Sequence, residues 1–178
     1  MTGSLRPVLL GAAFGLCAGT VTAKDPDLAP RLARLACGNT LVTAQAACYG
    51  ATAVCASETL TFHRPEARTI VASHRHRSSY PLAGGTKVEA LDYHAAAWAC
   101  ADGAHGGRYL AIVMAHTGGG NCSTCEFLRL YHSNGRLIAS TLRFDAAGRP
   151  LEDAKAGELI REMLGTPVPD ALRPVYGR

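Results

Sequence analysis

Two short stretches of this 178-residue chain hold the residues best suited to chemistry. Cys122-Ser-Thr-Cys125 has the spacing of a dithiol redox centre and of half a zinc site. A redox dithiol needs a thiolate of lowered pKa at a helix N-terminus in a strand–helix–strand setting, whereas the flanks here, 108–115 and 126–132, both read as strands. A structural zinc needs a second ligand pair, and no second Cys-x-x-Cys and no suitably spaced histidine pair follows. The expectation is a structural disulfide. A thiol oxidoreductase using Cys122 and Cys125 is the alternative.

The other stretch is His74-Arg75-His76-Arg77. In an extended backbone, period two puts both imidazoles on one side and both guanidinium groups on the other. His74 and His76 could then chelate copper or zinc, with His63, His94, His105, His116 or His132 completing the shell. A solvated basic loop is the commoner meaning of such a run. With Tyr80 nearby there is a third, a patch for an acidic protein, because arginine and tyrosine combine a broad contact face with directional donors. The glycine-rich run 117–125 would present backbone N–H groups at low entropic cost if Cys122 and Cys125 are bonded. The expected partner-binding residues are His74, Arg75, His76, Arg77, Tyr80, Gly119 and Asn121; no catalytic set, cofactor or metal is expected.

Other candidates are weaker. Gly118–Gly120 lacks the Lys-Ser/Thr that a phosphate-binding loop requires. Asp102, Glu126 and Asp145 fall at strand ends, but no spacing singles out a pair for acid–base work. Trp98, the only tryptophan, precedes Cys100 by two residues and so shares its strand face; core packing against a disulfide is its expected role.

The compartment follows from the N-terminus and the cysteines. Arg6, an uncharged run of about fifteen residues from Pro7 to Val21, and Val21-Thr-Ala23 read as a secretory signal cleaved after Ala23. Leu16 before Cys17 disfavours a lipoprotein, which usually has a small residue there. Cleavage leaves a domain of residues 24–178 with Cys37, Cys48, Cys55, Cys100, Cys122 and Cys125, an even set expected to form disulfides in an oxidising compartment, though six cysteines allow 15 pairings. The alanine, glycine and arginine usage suits a bacterial source and hence the periplasm. The net charge of +4 becomes +3 without Arg6, too weak for a nucleic-acid stripe, and no later apolar run would insert stably in a membrane.

These residues must be positioned by a core that is thin in large side chains, with 31 alanines and 6% aromatics. Leucines at 28, 32 and 35, with Asp27 as N-cap, predict a short opening helix. Residues 37–55 read as a stapled, partly irregular segment, 58–63 as a half-buried strand, and 73–85 as the longest loop. Asn134-Gly135 between two apolar runs predicts a type I′ hairpin within a meander over 96–144. Ala156, Leu159, Ile160, Met163 and Leu164 share one face of a helix over 151–164, capped by Gly165, with a Pro-punctuated tail over 166–178. The expected fold is α+β: a small antiparallel meander sheet over about residues 58–144, covered by the C-terminal helix and stapled by disulfides. The expected function is an exported, periplasmic binder of an acidic protein, such as an inhibitor or immunity protein that neutralises a toxin or enzyme. A copper- or zinc-binding protein using His74 and His76 is the competing reading.

Overall fold

The computed structural model describes residues 28–50, 52–120, 123–167, 169 and 171–176. The expected leader over 1–23, Asn121 and Cys122 lie outside them. The described chain is mostly antiparallel β-sheet with one C-terminal helix.

Strands β1 (Leu28–Cys37), β2 (Thr40–Tyr49), β3 (Cys55–Arg64) and β4 (Ala67–Ala72) form a four-stranded sheet in chain order. Strands β5 (Arg77–Pro81) and β6 (Lys87–Leu91) make a separate two-stranded ribbon. Strands β7 (Tyr93–Asp102), β8 (Arg108–His116), β9 (Glu126–His132) and β10 (Leu137–Ser140) build a second sheet, whose β7 edge is extended by β13 (Arg173–Pro174). A small hairpin of β11 (Leu142–Phe144) and β12 (Pro150–Glu152) leads into α1 (Ala154–Leu164). Residues 58–144 are thus divided among two sheets, a ribbon and the first strand of the β11–β12 hairpin, not gathered in one sheet.

The opening helix is replaced by β1, which pairs with β2 along all ten residues from Leu28↔Tyr49 to Cys37↔Thr40. Leucine spacing fits a helix, but Pro30 opposes one, and as an edge strand β1 tolerates a residue without an N–H. Residues 37–55 are more regular than expected, because Cys48 and Cys55 are cross-strand partners in the β2–β3 ladder and are bonded to each other. The expected loop over 73–85 contains β5, folded back on β6 from Arg77↔Leu91 to Pro81↔Lys87.

Two cores lie on the faces of the second sheet. On β8, Leu110, Ile112 and Met114 join Leu35, Val42, Leu60 and Phe62 of the first sheet, with Trp98 and Tyr131. The alternate residues Ala111 and Val113 join Leu128, Leu130 and Ala139 under α1. That period of two defines three layers, sheet on sheet on helix. Trp98 is 1% exposed, with Cys100 packed against its cluster. Cys37–Cys100 joins β1 to β7 and so ties the two sheets together. Cys125 is also disulfide-bonded.

Helix α1 begins three residues later than expected, since Leu151 and Glu152 belong to β12. Asp153 caps it, accepting from the Ala156 N–H, and Gly165 ends it at φ 71°. Ala156, Ile160 and Leu164 are buried, while Leu159 is exposed. The β9–β10 hairpin falls where Asn134-Gly135 placed it, but only Gly135 has positive φ, so the turn is not type I′. Gly135 is doubly constrained: a Cβ there would sit 2.9 Å from the Phe62 ring.

Candidate functional site

The segment after β4 and the segment after β8 meet through Tyr80, His116 and Gly118. Where β4 ends, Ser73 is fully buried: its N–H and its hydroxyl donate to the Glu58 carbonyl, each at 3.2 Å, and its own carbonyl accepts from the Arg129 guanidinium. This fixes His74, 6% exposed, among the rings of Phe144, Tyr93 and His76, with centroids 4.9, 5.1 and 5.4 Å away. The His74 Nε2 atom has no hydrogen-bond partner. Burial, reinforced by the positive charge of Arg129, lowers its pKa to about 4, so the ring is neutral near pH 7.

The chain then emerges. The Arg75 and Arg77 side chains are exposed and His76 is half-buried against Phe144, so residues 74–77 alternate as period two expects, guanidinium groups to solvent and imidazoles inward. Tyr80 turns inward as well. It is 9% exposed, and its hydroxyl donates to Asp92 Oδ1 at 3.0 Å. Burial and the Asp92 carboxylate raise its pKa, keeping the phenol protonated. On its other side His116 Nε2 lies 3.5 Å away, and His116 Nδ1 accepts from the Gly118 N–H at 3.2 Å. That acceptor role assigns the ring proton to Nε2, facing the tyrosine oxygen. The polar capacity of Asp92, Tyr80 and His116 is therefore spent largely on one another.

The glycine run is fastened at both ends. The Thr117 N–H donates to the Asp92 carbonyl at 2.8 Å, and the Thr117 hydroxyl donates to the Leu91 carbonyl. At the far end the His116 N–H donates to the Cys125 carbonyl at 2.7 Å, and the Tyr93 hydroxyl donates to the Thr124 carbonyl at 2.9 Å. Between them Gly118, Gly119 and Gly120 are exposed. A Cβ on Gly118 would lie 3.1 Å from the His116 ring and 3.5 Å from Tyr80, so the two stretches are in contact. Beside them opens a cleft of about 340 Å³ lined by His116, Gly119, Gly120, Ser123, Cys125 and Glu126.

Of the expected set, Tyr80 is thus brought against His116 and Gly118, His74 and His76 pack on Phe144, and Arg75, Arg77 and Gly119 are exposed. Among the described residues no three of histidine, cysteine, aspartate and glutamate come together as a metal cage. Asp92, Tyr93, Phe144 and Arg129 complete the site and were not expected. Nothing in local spacing marks them, since each meets its partners across strands distant in sequence.

No family model, curated protein or solved structure matches this chain. Among the described residues no helix is long and apolar enough to cross a membrane.

Proposed function

We propose that the protein is an exported, disulfide-stapled binding domain, and that the end built from residues 73–80 and 117–125 docks a partner protein with an acidic surface. The observation that carries this reading is the placement of Arg75 and Arg77: both guanidinium groups are exposed while their neighbours His74 and Tyr80 are buried and immobilised. Two cations on a packed base leave only their side chains, not the backbone, to be ordered on binding, and they steer association with an acidic surface. The glycine crest, anchored by Thr117 and Cys125, adds a backbone surface without side chains to reorder. Neutralisation of a toxin or enzyme in the periplasm suits such a domain, and the disulfides are compatible with export.

The test compares capture of periplasmic partners by the wild type and by Arg75→Ala/Arg77→Ala, with the captured protein then purified and titrated. The reading expects a partner of acidic surface whose affinity falls at least tenfold in the double variant and with added salt, at an unchanged thermal midpoint. A captured protein that binds both forms equally at low and high salt would overturn it. N-terminal sequencing of the periplasmic protein should begin at Lys24; recovery of the intact leader in the cytoplasm would exclude export.

A further inference from the structure

Sheets in soluble proteins blunt their edges, because an unpaired row of N–H and C=O groups is a template for another strand. Of the four edges of the two larger sheets, three carry such a device. Strand β1 bears Pro30, Arg31 and Arg34 and is tied to β7 by Cys37. Strand β10 has four residues, a register shift and the α1 layer against it. Strand β13 has two residues, one of them Pro174.

Strand β4 is different. Ala67-Arg-Thr-Ile-Val-Ala72 pairs with β3 on one side in unbroken register, contains no proline, and has one charge, Arg68. No other backbone bond closes its far side among the described residues. Ile70 is 59% exposed, the largest exposure of any large apolar residue described. By register it ends a row running Arg34, Thr43, Thr61, Ile70, in which Thr43 and Thr61 are buried and the two ends, Arg34 and Ile70, are exposed.

We infer that β4 is a self-association edge and that its occupant is β4 of a second copy of this chain, paired antiparallel about a two-fold axis through Ile70. A two-fold normal to the sheet keeps each face continuous, so only residues of the same parity face each other. Centred on Ile70, this sets Ile70 against Ile70 of the partner, Arg68 against Ala72 and Thr69 against Val71. Every opposed pair is then apolar or uncharged on at least one side, and no arginine faces an arginine. The two sheets become one eight-stranded sheet, with Ile70 covered by its twin. Antiparallel pairing also sends the two Ser73 ends in opposite directions. The inference does not depend on the proposed function.

Sedimentation of the purified protein from about 1 to 200 µM tests it, small interfaces of this kind associating weakly. A monomer–dimer equilibrium is expected, with Ile70→Lys raising the dissociation constant at least tenfold at an unchanged monomer melting midpoint. Register is read separately: under oxidising conditions Ile70→Cys should yield a covalent dimer and Arg68→Cys should not, since opposed Cα atoms lie within disulfide reach and Arg68 faces Ala72. A monomer throughout the range, a dimer indifferent to Ile70→Lys, or crosslinking by Arg68→Cys in place of Ile70→Cys would each overturn the inference.

Discussion

The hydroxyl of Tyr176, near the end of the chain, donates a 2.8 Å hydrogen bond to Oε1 of Glu58, a carboxylate only 3% exposed between the two sheets. The other oxygen, Oε2, accepts from the Ala95 N–H at 2.8 Å. The 166–178 segment is therefore not simply a tail: Arg173 and Pro174 pair with β7, Val175 is buried in the core, and Tyr176 closes over the one buried carboxylate described. Tyr176→Phe removes the donor and leaves a buried oxygen short of a partner, which should cost about 1–3 kcal/mol in chemical denaturation. A loss below a few tenths of a kcal/mol would show that water replaces the phenol.

Glu58 also sets a pH dependence. Burial raises its pKa above the ordinary carboxylate value, against the lowering influence of its Ser73, Ala95 and Tyr176 hydrogen bonds and of Arg129. A carboxyl that holds its proton more tightly folded than unfolded makes stability fall as pH rises from the unfolded value of about 4.3 through the folded one. Glu58→Gln should abolish this decline and leave the variant at least as stable as the wild type at pH 7. A wild type and variant with parallel stability–pH curves over pH 4–7 would rule the effect out.

Glu58 also shows where the sequence was readable. Period two along β3 puts Glu58 on the face of Leu60 and Phe62, so its burial was implied by the same alternation that predicted the strand. The helix α1 and its Gly165 cap were legible because apolar periodicity and capping are local. The β1 strand was not, because Leu28, Leu32 and Leu35 satisfy a helical stripe, and only pairing with β2 decides otherwise. The candidate site divides in the same way. His74 through Tyr80 and the glycine run stood out by composition, whereas Asp92 and Phe144 become partners only through tertiary packing.

His74 makes an opposite contribution to the pH profile. Its pKa falls from 6.5 to about 4 on folding, with burial as the main cause and the charges of Arg129 and His76 adding to it; Asp92 works the other way. The unfolded chain therefore binds the proton first, and stability should fall as pH drops from about 6.5 toward 4. His74→Phe keeps an aromatic ring between Tyr93 and Phe144 and removes both the titration and the unpartnered Nε2. Its thermal midpoint should drop less than that of the wild type between pH 7 and pH 5. An equal drop in both proteins would assign the acid sensitivity elsewhere.

The two described disulfides should differ in worth, because they close loops of very different length. Cys37–Cys100 spans 63 residues and Cys48–Cys55 spans 7. In the chain-entropy account, cross-linking the longer loop removes more freedom from the unfolded state, about 4 kcal/mol against about 2 for the shorter. Structure adds to the difference: Cys37–Cys100 bridges two sheets beside Trp98, whereas Cys48 and Cys55 are already neighbours in a ladder. Replacing both cysteines of each bridge by alanine avoids stray thiols, and denaturant unfolding under oxidising conditions then ranks the pair. The Cys37/Cys100 double variant should be the less stable by about 2 kcal/mol. If the Cys48/Cys55 variant proves the less stable, the short bridge must be holding the β2–β3 register itself, and loop entropy is the wrong account of this fold's staples.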